Sequence, residues 1–369
     1  MDVKEKTKIQ KEIVSCVPAN PHGRLHLAPR VGKTRVIIDI IKRDKPKSIL
    51  WVTPSAELAE KDIPEEFIKW KAKTYLKRLT TSTWASLNKV TGYYDTIVLD
   101  EEQYATENNL KSLLDKSLTY GNIISMTGSP TKHNSKKDLY RQLNLSVLYT
   151  LNINEAVDLG ILSNYTIKVV EVDMSLVKDI DAGNAKVRFK TSEKAQYDYL
   201  TSQMQQAMFQ RRKDLKFRMM ARMRAIQNSP SKRGVASYLM ENLEGRKIFF
   251  SPTIELAEYL STNTFHSKTN DEGLKKFQSG DCDTLSLVNS GGIGFTYKEI
   301  DHLVIVQCDS DKNGLTSQKI SRCLLKQPDY KATIWIICLK GTQDEKWVKS
   351  ALSSFDKNKI EYINFKNMK

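Results

Sequence analysis

The chain has 369 residues, 40% of them apolar, enough for about two domains of ~150 residues, each with a buried core. Lysine and arginine number 58 against 43 acidic residues, and a net charge of +15 points to a polyanionic partner, nucleic acid first. The five cysteines (Cys16, Cys282, Cys308, Cys323 and Cys338) are odd in number and form no C-x-x-C pair, which argues against a disulfide framework or a zinc knuckle and fits a reducing compartment.

The opening stretch MDVKEKTKIQKE is charged and lacks an apolar centre, so no signal peptide is expected. The longest apolar runs, such as TIWIICL (Thr333–Leu339), fall well short of the ~20 residues that span a bilayer. A soluble cytoplasmic protein is expected.

The first strand is expected at residues 24–28. It runs into Ala28-Pro29-Arg30-Val31-Gly32-Lys33-Thr34, then into a helix through about Arg43. A strand–loop–helix of this kind presents backbone N–H groups and a helix N-terminus to phosphates. Lys33 would reach the β- and γ-phosphates, and Thr34 would hold Mg²⁺. The first glycine of G-x-x-x-x-G-K-[ST] is replaced by Leu27. Further strands are expected at 48–53, 95–100 and 121–127, with helices between. The third of these four strands runs into carboxylates in YDTIVLDEEQYAT (Tyr93–Thr106). There Asp100 would hold Mg²⁺ through water and Glu101 would polarise the attacking water. The fourth ends in ISMTGSPT (Ile124–Thr131), where Thr127 and Ser129 can sense the γ-phosphate and pass the change on.

Residues 192–228 read as one long helical run, closed by the breaker NSPSK (Asn228–Lys232). Within it Arg211, Arg218 and Arg222 fall on one helical face, read equally as a contact to a duplex backbone or as a solvated face over a methionine-packed core. Strands resume at 246–250, 283–287, 302–306 and 332–338. Two sets of alternating strands and helices imply an α/β chain of two tandem parallel-sheet lobes with a helical connector. The boundaries expected are 1–165 for the first lobe, 166–231 for a connector of a strand and helices, and 232–369 for the second lobe. His266 has no metal-spaced partner and is assigned to a loop whose Ser267 and Lys268 lie near a phosphate. Trp51, Trp70 and Trp335 are expected in the core; Trp84 is read either as core or as stacking on a base.

In this order the segments resemble a superfamily 2 helicase/translocase, over nearly the whole chain. The loop is similar to the A-x-x-G-x-G-K-T form of motif I, with Ala28 and Gly32 matching and Arg30 in place of the middle glycine. Asp100-Glu101-Glu102-Gln103 resembles motif II, with Gln103 where histidine is usual, and MTGSPT resembles motif III. Gln10 stands where the family has an adenine-reading glutamine. LWVTPSAELAE (Leu50–Glu60) and LTTSTWASL (Leu79–Leu87) resemble motifs Ia and Ib, which implies nucleic-acid contacts at Ser55, Thr83 and Trp84. EAVDLGILSNYTI (Glu155–Ile167) resembles the segment leaving the first lobe in the restriction-enzyme and phage helicase branch. KIFFSPT (Lys247–Thr253) is like motif IV, with Ser251 and Thr253 toward nucleic acid. NSGGIGF (Asn289–Phe295) is similar to motif V of the Swi/Snf remodelling ATPases, with Asn289 toward nucleic acid and Gly292 toward nucleotide. SQKISRCLLK (Ser317–Lys326) resembles motif VI through Gln318 and Arg322; Ser321 replaces its glycine and Leu325 its second arginine. KGTQDEKWVKSAL (Lys340–Leu352) resembles the Gly-Thr-x-Asp-Glu segment of the Swi/Snf branch.

The resemblance implies RecA-like lobes, ATP and Mg²⁺ as cofactors, and a nucleotide pocket formed by Gln10, Ala28, Pro29, Arg30, Val31, Gly32, Lys33, Thr34, Arg35, Gly292, Gln318 and Arg322. Lys33, Asp100, Glu101, Gln103 and Arg322 would be catalytic. Three functions compete. A DNA helicase or translocase working on duplex or branched DNA is favoured by the Swi/Snf-like segments; with little outside the motor core, the chain resembles minimal helicases of phage or mobile-element type, which by analogy implies work in replication, recombination or repair. An RNA helicase is disfavoured because no intact D-E-A-D box is present. A DNA-binding protein with a degenerate, non-hydrolysing ATP site is suggested by Arg30, Gln103 and Leu325.

Overall fold

The structure, a computed structural model, describes residues 3–131, 133–183, 188–288, 300–308, 315–324 and 331–368. Asn289, Gly292 and Leu325 lie outside the described residues, as does the side chain of Arg322. The chain divides into two compact units: Met1–Ser163 with the later segment that includes residues 315–321, and the remainder from Asn164 onward.

The first unit carries helix α1 (Val3–Cys16), strand β1 (Gly23–Leu27), α2 (Lys33–Asp44), β2 (Ile49–Thr53), α3 (Ile63–Lys69), β3 (Leu79–Thr83) and β4 (Gly92–Asp100). It continues through α4 (Glu107–Ser112), β5 (Leu118–Thr127), α5 (Asn134–Gln142), β6 (Val147–Leu151) and α6 (Ile153–Asp158). The six strands form one parallel sheet in the order β3-β2-β4-β5-β1-β6. The inner strands read as continuous apolar runs because both of their faces are covered. Ile49–Val52 and Ile97–Leu99 are buried without alternation. The α2 helix seals one face with Val36, Ile37, Ile38, Ile40 and Ile41. Pairing of His26 with Thr127, and of Asp100 with Met126, brings the carboxyl ends of β1, β4 and β5 level. In open parallel sheets that edge is where ligands bind.

The second unit carries β7 (Asn164–Val172), β8 (Lys178–Gly183), β9 (Arg188–Ser192), α7 (Glu193–Phe209), α8 (Leu215–Gln227), α9 (Pro230–Asn242), β10 (Lys247–Ser251), α10 (Ile254–Leu260) and β11 (Thr264–Phe265). Then come α11 (Glu272–Ser279), β12 (Thr284–Val288), β13 (His302–Ile305), β14 (Lys331–Leu339), α13 (Gln343–Ala351) and β15 (Ile360–Asn364), while α12 (Leu315–Cys323), which lies between β13 and β14 in sequence, is counted through Ser321 with the first unit. Seven strands form a parallel sheet in the order β11-β12-β10-β13-β14-β7-β15. The β7 strand, most of which falls within the expected connecting segment, pairs with β14 along its whole length, from Asn164 to Val172. An antiparallel ribbon of β8 and β9 stands apart from this sheet.

The helical run expected over 192–228 is two helices. Arg211, at φ 49°, lies in the turn between them. It therefore does not share a helical face with Arg218 and Arg222. The breaker NSPSK starts a helix as well as ending one: Pro230 occupies the first turn of α9, and Ser229 Oγ accepts from the Lys232 N–H (3.1 Å). From α9 the Lys232 side chain runs into the interior, where its ammonium meets Asp344 Oδ2 (2.6 Å) and Gln307 Oε1 (2.8 Å). Gln307 Nε2 donates back to Asp344 Oδ1 (2.9 Å), and the Leu339 N–H to Asp344 Oδ2 (3.0 Å). Among the described residues, no helix is long and apolar enough to cross a membrane.

Candidate active site

The loop between β1 and α2 is shaped by two left-handed residues, Arg30 (φ 69°) and Gly32 (φ 90°). At Gly32 any side chain would collide: an added Cβ would fall 2.3 Å from Gln10 Nε2. Gln10, on the buried face of α1, donates from Nε2 to the Val31 carbonyl (2.7 Å). Its Oε1 is buried with no hydrogen-bond partner. Gly32 caps α2 without a side-chain hydrogen bond, so the first-turn N–H groups of the helix lack that usual acceptor. Lys6 is pushed below the usual lysine range, first by burial and then by the charges of Arg30, Arg35 and Lys69. Such a concentration of cations beside free helix N–H groups suits a polyphosphate.

Across from this loop, β4 ends in Asp100 and the chain turns at Glu101, which sits in the left-handed region (φ 50°, ψ 61°). For a residue with a side chain that conformation costs about 1 kcal/mol, and such strain concentrates at functional sites. Lys33 Nζ reaches Glu101 Oε1 (2.6 Å), and Gln103 Nε2 donates to Glu101 Oε2 (2.9 Å). Gln103 Oε1 accepts from Thr127 Oγ1 (2.5 Å), whose oxygen in turn accepts from the Ser129 N–H (2.9 Å). The loops after β1, β4 and β5 are thereby joined in one polar chain. Burial pushes the Glu101 carboxyl up, but the charge and hydrogen bond of Lys33, with hydrogen bonds from Gln103 and Gly128, outweigh it and hold the carboxyl below its usual range. Asp100 goes the other way, to about 7: burial and the Glu101 charge raise it, against the opposing pull of Lys33, Trp51 and the Glu101 backbone. A cation beside this buried carboxyl would favour its ionised form. Among the described residues no three His, Cys, Asp or Glu side chains cluster as a metal cage. Mg²⁺ bound here would rely on phosphate and water oxygens beside Asp100 and Thr34, as that ion ordinarily does.

Glu102 looks interchangeable with Glu101 in sequence and is not. It is fully buried, held at both oxygens by Arg24 (2.5 and 3.0 Å), and takes a further hydrogen bond from Ser125 Oγ (2.6 Å). His26 Nε2 lies 3.8 Å away. This ion pair braces β1 against the β4 turn, and nothing in the sequence pattern distinguished it.

Several expectations are corrected. Trp84 is core: it is 4% exposed, and its Nε1 donates to the Asp100 carbonyl (2.9 Å), so the ring props up the end of β4 rather than offering a face to a base. Trp70 is only partly buried and lies under the Arg35 guanidinium (4.2 Å). Arg35 also meets Asp39 (3.6 Å) and Thr7 (3.1 Å), which turns its side chain along α1 and α2. Ser251 is buried with its hydroxyl 3.2 Å from that of Ser286, so that hydroxyl faces the sheet interior. Thr253 caps α10 through the Leu256 N–H (3.3 Å). Trp51 and Trp335 are buried as expected. Ser55 and Thr83 are half-buried at the carboxyl ends of β2 and β3. Ser267 and Lys268 are exposed beside buried His266, whose Nδ1 accepts from the Lys268 N–H (3.3 Å). Gln318 lies half-buried on α12, and Arg322 falls on the same helix.

No protein-family model matches the chain, and no curated protein sequence matches it. Solved structures do. The helicase domain of Pyrococcus furiosus Hef aligns over 93% of this chain and 97% of its own, with a TM-score of 0.51 and 14% identity. The ATP-dependent type ISP restriction-modification enzyme LlaBIII, bound to DNA, aligns over 97% of this chain with a TM-score of 0.61 and 14% identity. The chain spans only 31% of LlaBIII. The likeness is one of fold: two parallel α/β sheets in tandem, each of the RecA-like kind.

Proposed function

We propose that the chain is an ATP-dependent DNA helicase or translocase of phage or mobile-element type, acting on duplex or branched DNA in replication, recombination or repair. The observation that carries this reading is the polar chain from Lys33 through Glu101 and Gln103 to Thr127 at the carboxyl edge of the first sheet. Its parts fit a nucleoside triphosphate. The orphaned Gln10 Oε1 is an acceptor matched to the exocyclic amino group of adenine. The α2 N-terminus and Lys33 bind phosphate oxygens, while Thr34 and Asp100 hold Mg²⁺. ATP itself supplies the cleavable phosphoanhydride and the phosphate charge. When Lys33 turns to phosphate it releases Glu101, whose carboxylate then orients water; Gln103 keeps that carboxylate aimed and relays its position to Thr127 and Ser129. Catalysis of this type is mainly positioning and electrostatics. Arg322 supplies the remaining charge, with no second arginine at Leu325.

The net charge of +15 supports a nucleic acid as the partner, and the DNA-bound state of LlaBIII supports DNA over RNA. The same reading assigns residues 1–165 to a nucleotide-binding lobe, 232–369 to a second lobe and 166–231 to the segment joining them. The test is steady-state ATP turnover without nucleic acid and with single-stranded DNA, branched duplex or RNA. Stimulation by DNA is expected. Stimulation by RNA alone would make it an RNA helicase, and DNA binding without turnover in any mixture would leave a non-hydrolysing DNA-binding protein.

A further inference from the structure

Helix α8 reads LKFRMMARMRAIQ and is apolar on more than one side, a composition that belongs to a covered helix. One side is covered: α8 packs on α7, with Leu215, Ala221 and Ala225 partly buried. The other side is bare. Phe217 is 66% exposed, Met219 54%, Met220 39% and Met223 36%, giving an outward strip of four apolar side chains. A contiguous exposed apolar strip with a polar rim marks an interaction site. The rim is cationic: Arg211, Lys213, Lys216 and Arg224 are all exposed, and the one acid of the segment, Asp214, is taken by Arg212 (2.9 Å) and Arg218 (3.1 Å).

We propose that this outer face of α8 docks an acidic amphipathic helix of a partner protein. The apolar strip takes leucine or phenylalanine side chains spaced i, i+3, i+4 and i+7, and the cationic rim pairs with flanking carboxylates. Unbranched, polarisable methionines fit such apolar faces and tolerate variation in them. A second copy of this chain is disfavoured because two cationic rims would repel. A phosphate backbone is disfavoured because it calls for cations and offers the four apolar side chains nothing to pack on.

The test is to pan a library of displayed helical peptides against the full chain, with counter-selection on the triple variant Met219→Gln, Met220→Gln, Met223→Gln. Glutamine matches methionine in helix propensity, and all three positions face outward. Phe217→Gln serves as the second variant if the triple one does not fold. Recovered peptides should carry net negative charge with apolar residues at helical spacing, and should bind the variant at least about tenfold more weakly. Affinity for branched DNA should be unchanged. The proposal is overturned if no peptide is recovered, if recovered peptides lack an acidic surplus or bind the variant equally well, or if the variant loses DNA affinity, which would give the surface to nucleic acid.

Discussion

Each unit of the molecule contains a carboxylate held by both a lysine and a glutamine. In the first unit these are Lys33, Glu101 and Gln103; in the second they are Lys232, Asp344 and Gln307. The ion pairs have the same length, 2.6 Å, but the side chains of Lys33 and Glu101 are 14% and 25% exposed, and those of Lys232 and Asp344 1% and 0%. The second cluster is closed, with Asp344 also accepting a backbone N–H and its helix capped by Thr342. The first cluster opens onto a left-handed turn, an uncapped helix N-terminus and the orphaned Gln10 Oε1. The same three groups are a clamp where every valence is filled and a site where some are left for a ligand.

The largest contrast is expected from the two lysines. Lys232→Ala leaves Asp344 charged and buried, which costs about 3–5 kcal/mol. The chain should then unfold at markedly lower urea, while turnover per folded molecule persists. Lys33→Ala should do the reverse, with ATP turnover down ~10²–10³-fold and the urea midpoint nearly unmoved. Equal losses of stability in the two variants would erase the distinction.

Next come the carboxylates. Glu101→Gln keeps the shape and the contact to Gln103 but loses the charge. Nucleotide and DNA binding should survive while turnover falls by ~10² or more. Asp344→Asn should instead lower the melting temperature. Single-turnover rates beside melting curves separate the two cases.

A smaller effect tests the structural pair that adjoins the first site. Burial holds His26 at about 4, below the usual 6.5 of histidine, against the raising pull of Glu102 and with a further lowering push from Arg24. The folded chain thus keeps His26 neutral where the unfolded chain protonates it. Stability from this residue is complete above pH ~6.5 and is lost as pH falls towards 4, by about 2 kcal/mol at pH 5. His26→Asn should flatten that slope in urea titrations at pH 7 and pH 5; an unchanged slope would show that His26 is not its source.

The smallest expected effect concerns Gln10. Gln10→Ala should reduce the preference for ATP over GTP by up to ~10-fold, the worth of one hydrogen bond, and leave kcat nearly unaltered. Equal ATP preference in the variant would detach Gln10 Oε1 from base reading.

The inner strands were legible because β2, β4, β5, β10, β12, β13 and β14 are apolar runs bounded by turns or charges. The edge strands were not: β3 is LTTST, half-exposed and rich in hydroxyls, and β6 (VLYTL) has no clean alternation. A strand was expected at the start of the connector, but its place in the second sheet was hidden because its neighbours there, β14 and β15, lie more than 150 residues further along the chain. The motif residues of the first unit meet as their order along the chain suggested, since strand ends in a parallel sheet are brought level by register. What local pattern cannot reveal is which like residue is buried. Glu101 and Glu102 are adjacent and identical, and only the position of Arg24 and Ser125 separates the strained, half-open carboxylate from the locked one.

Gly128 follows directly after Thr127. An added Cβ there would stand 3.3 Å from each of three atoms: the Leu27 carbonyl oxygen, Pro29 Cδ and Lys33 Nζ. The clearance between the two loops is therefore set by a missing carbon. Gly128→Ala would act as a wedge built into the chain, bearing on the lysine and on the backbone before it at once.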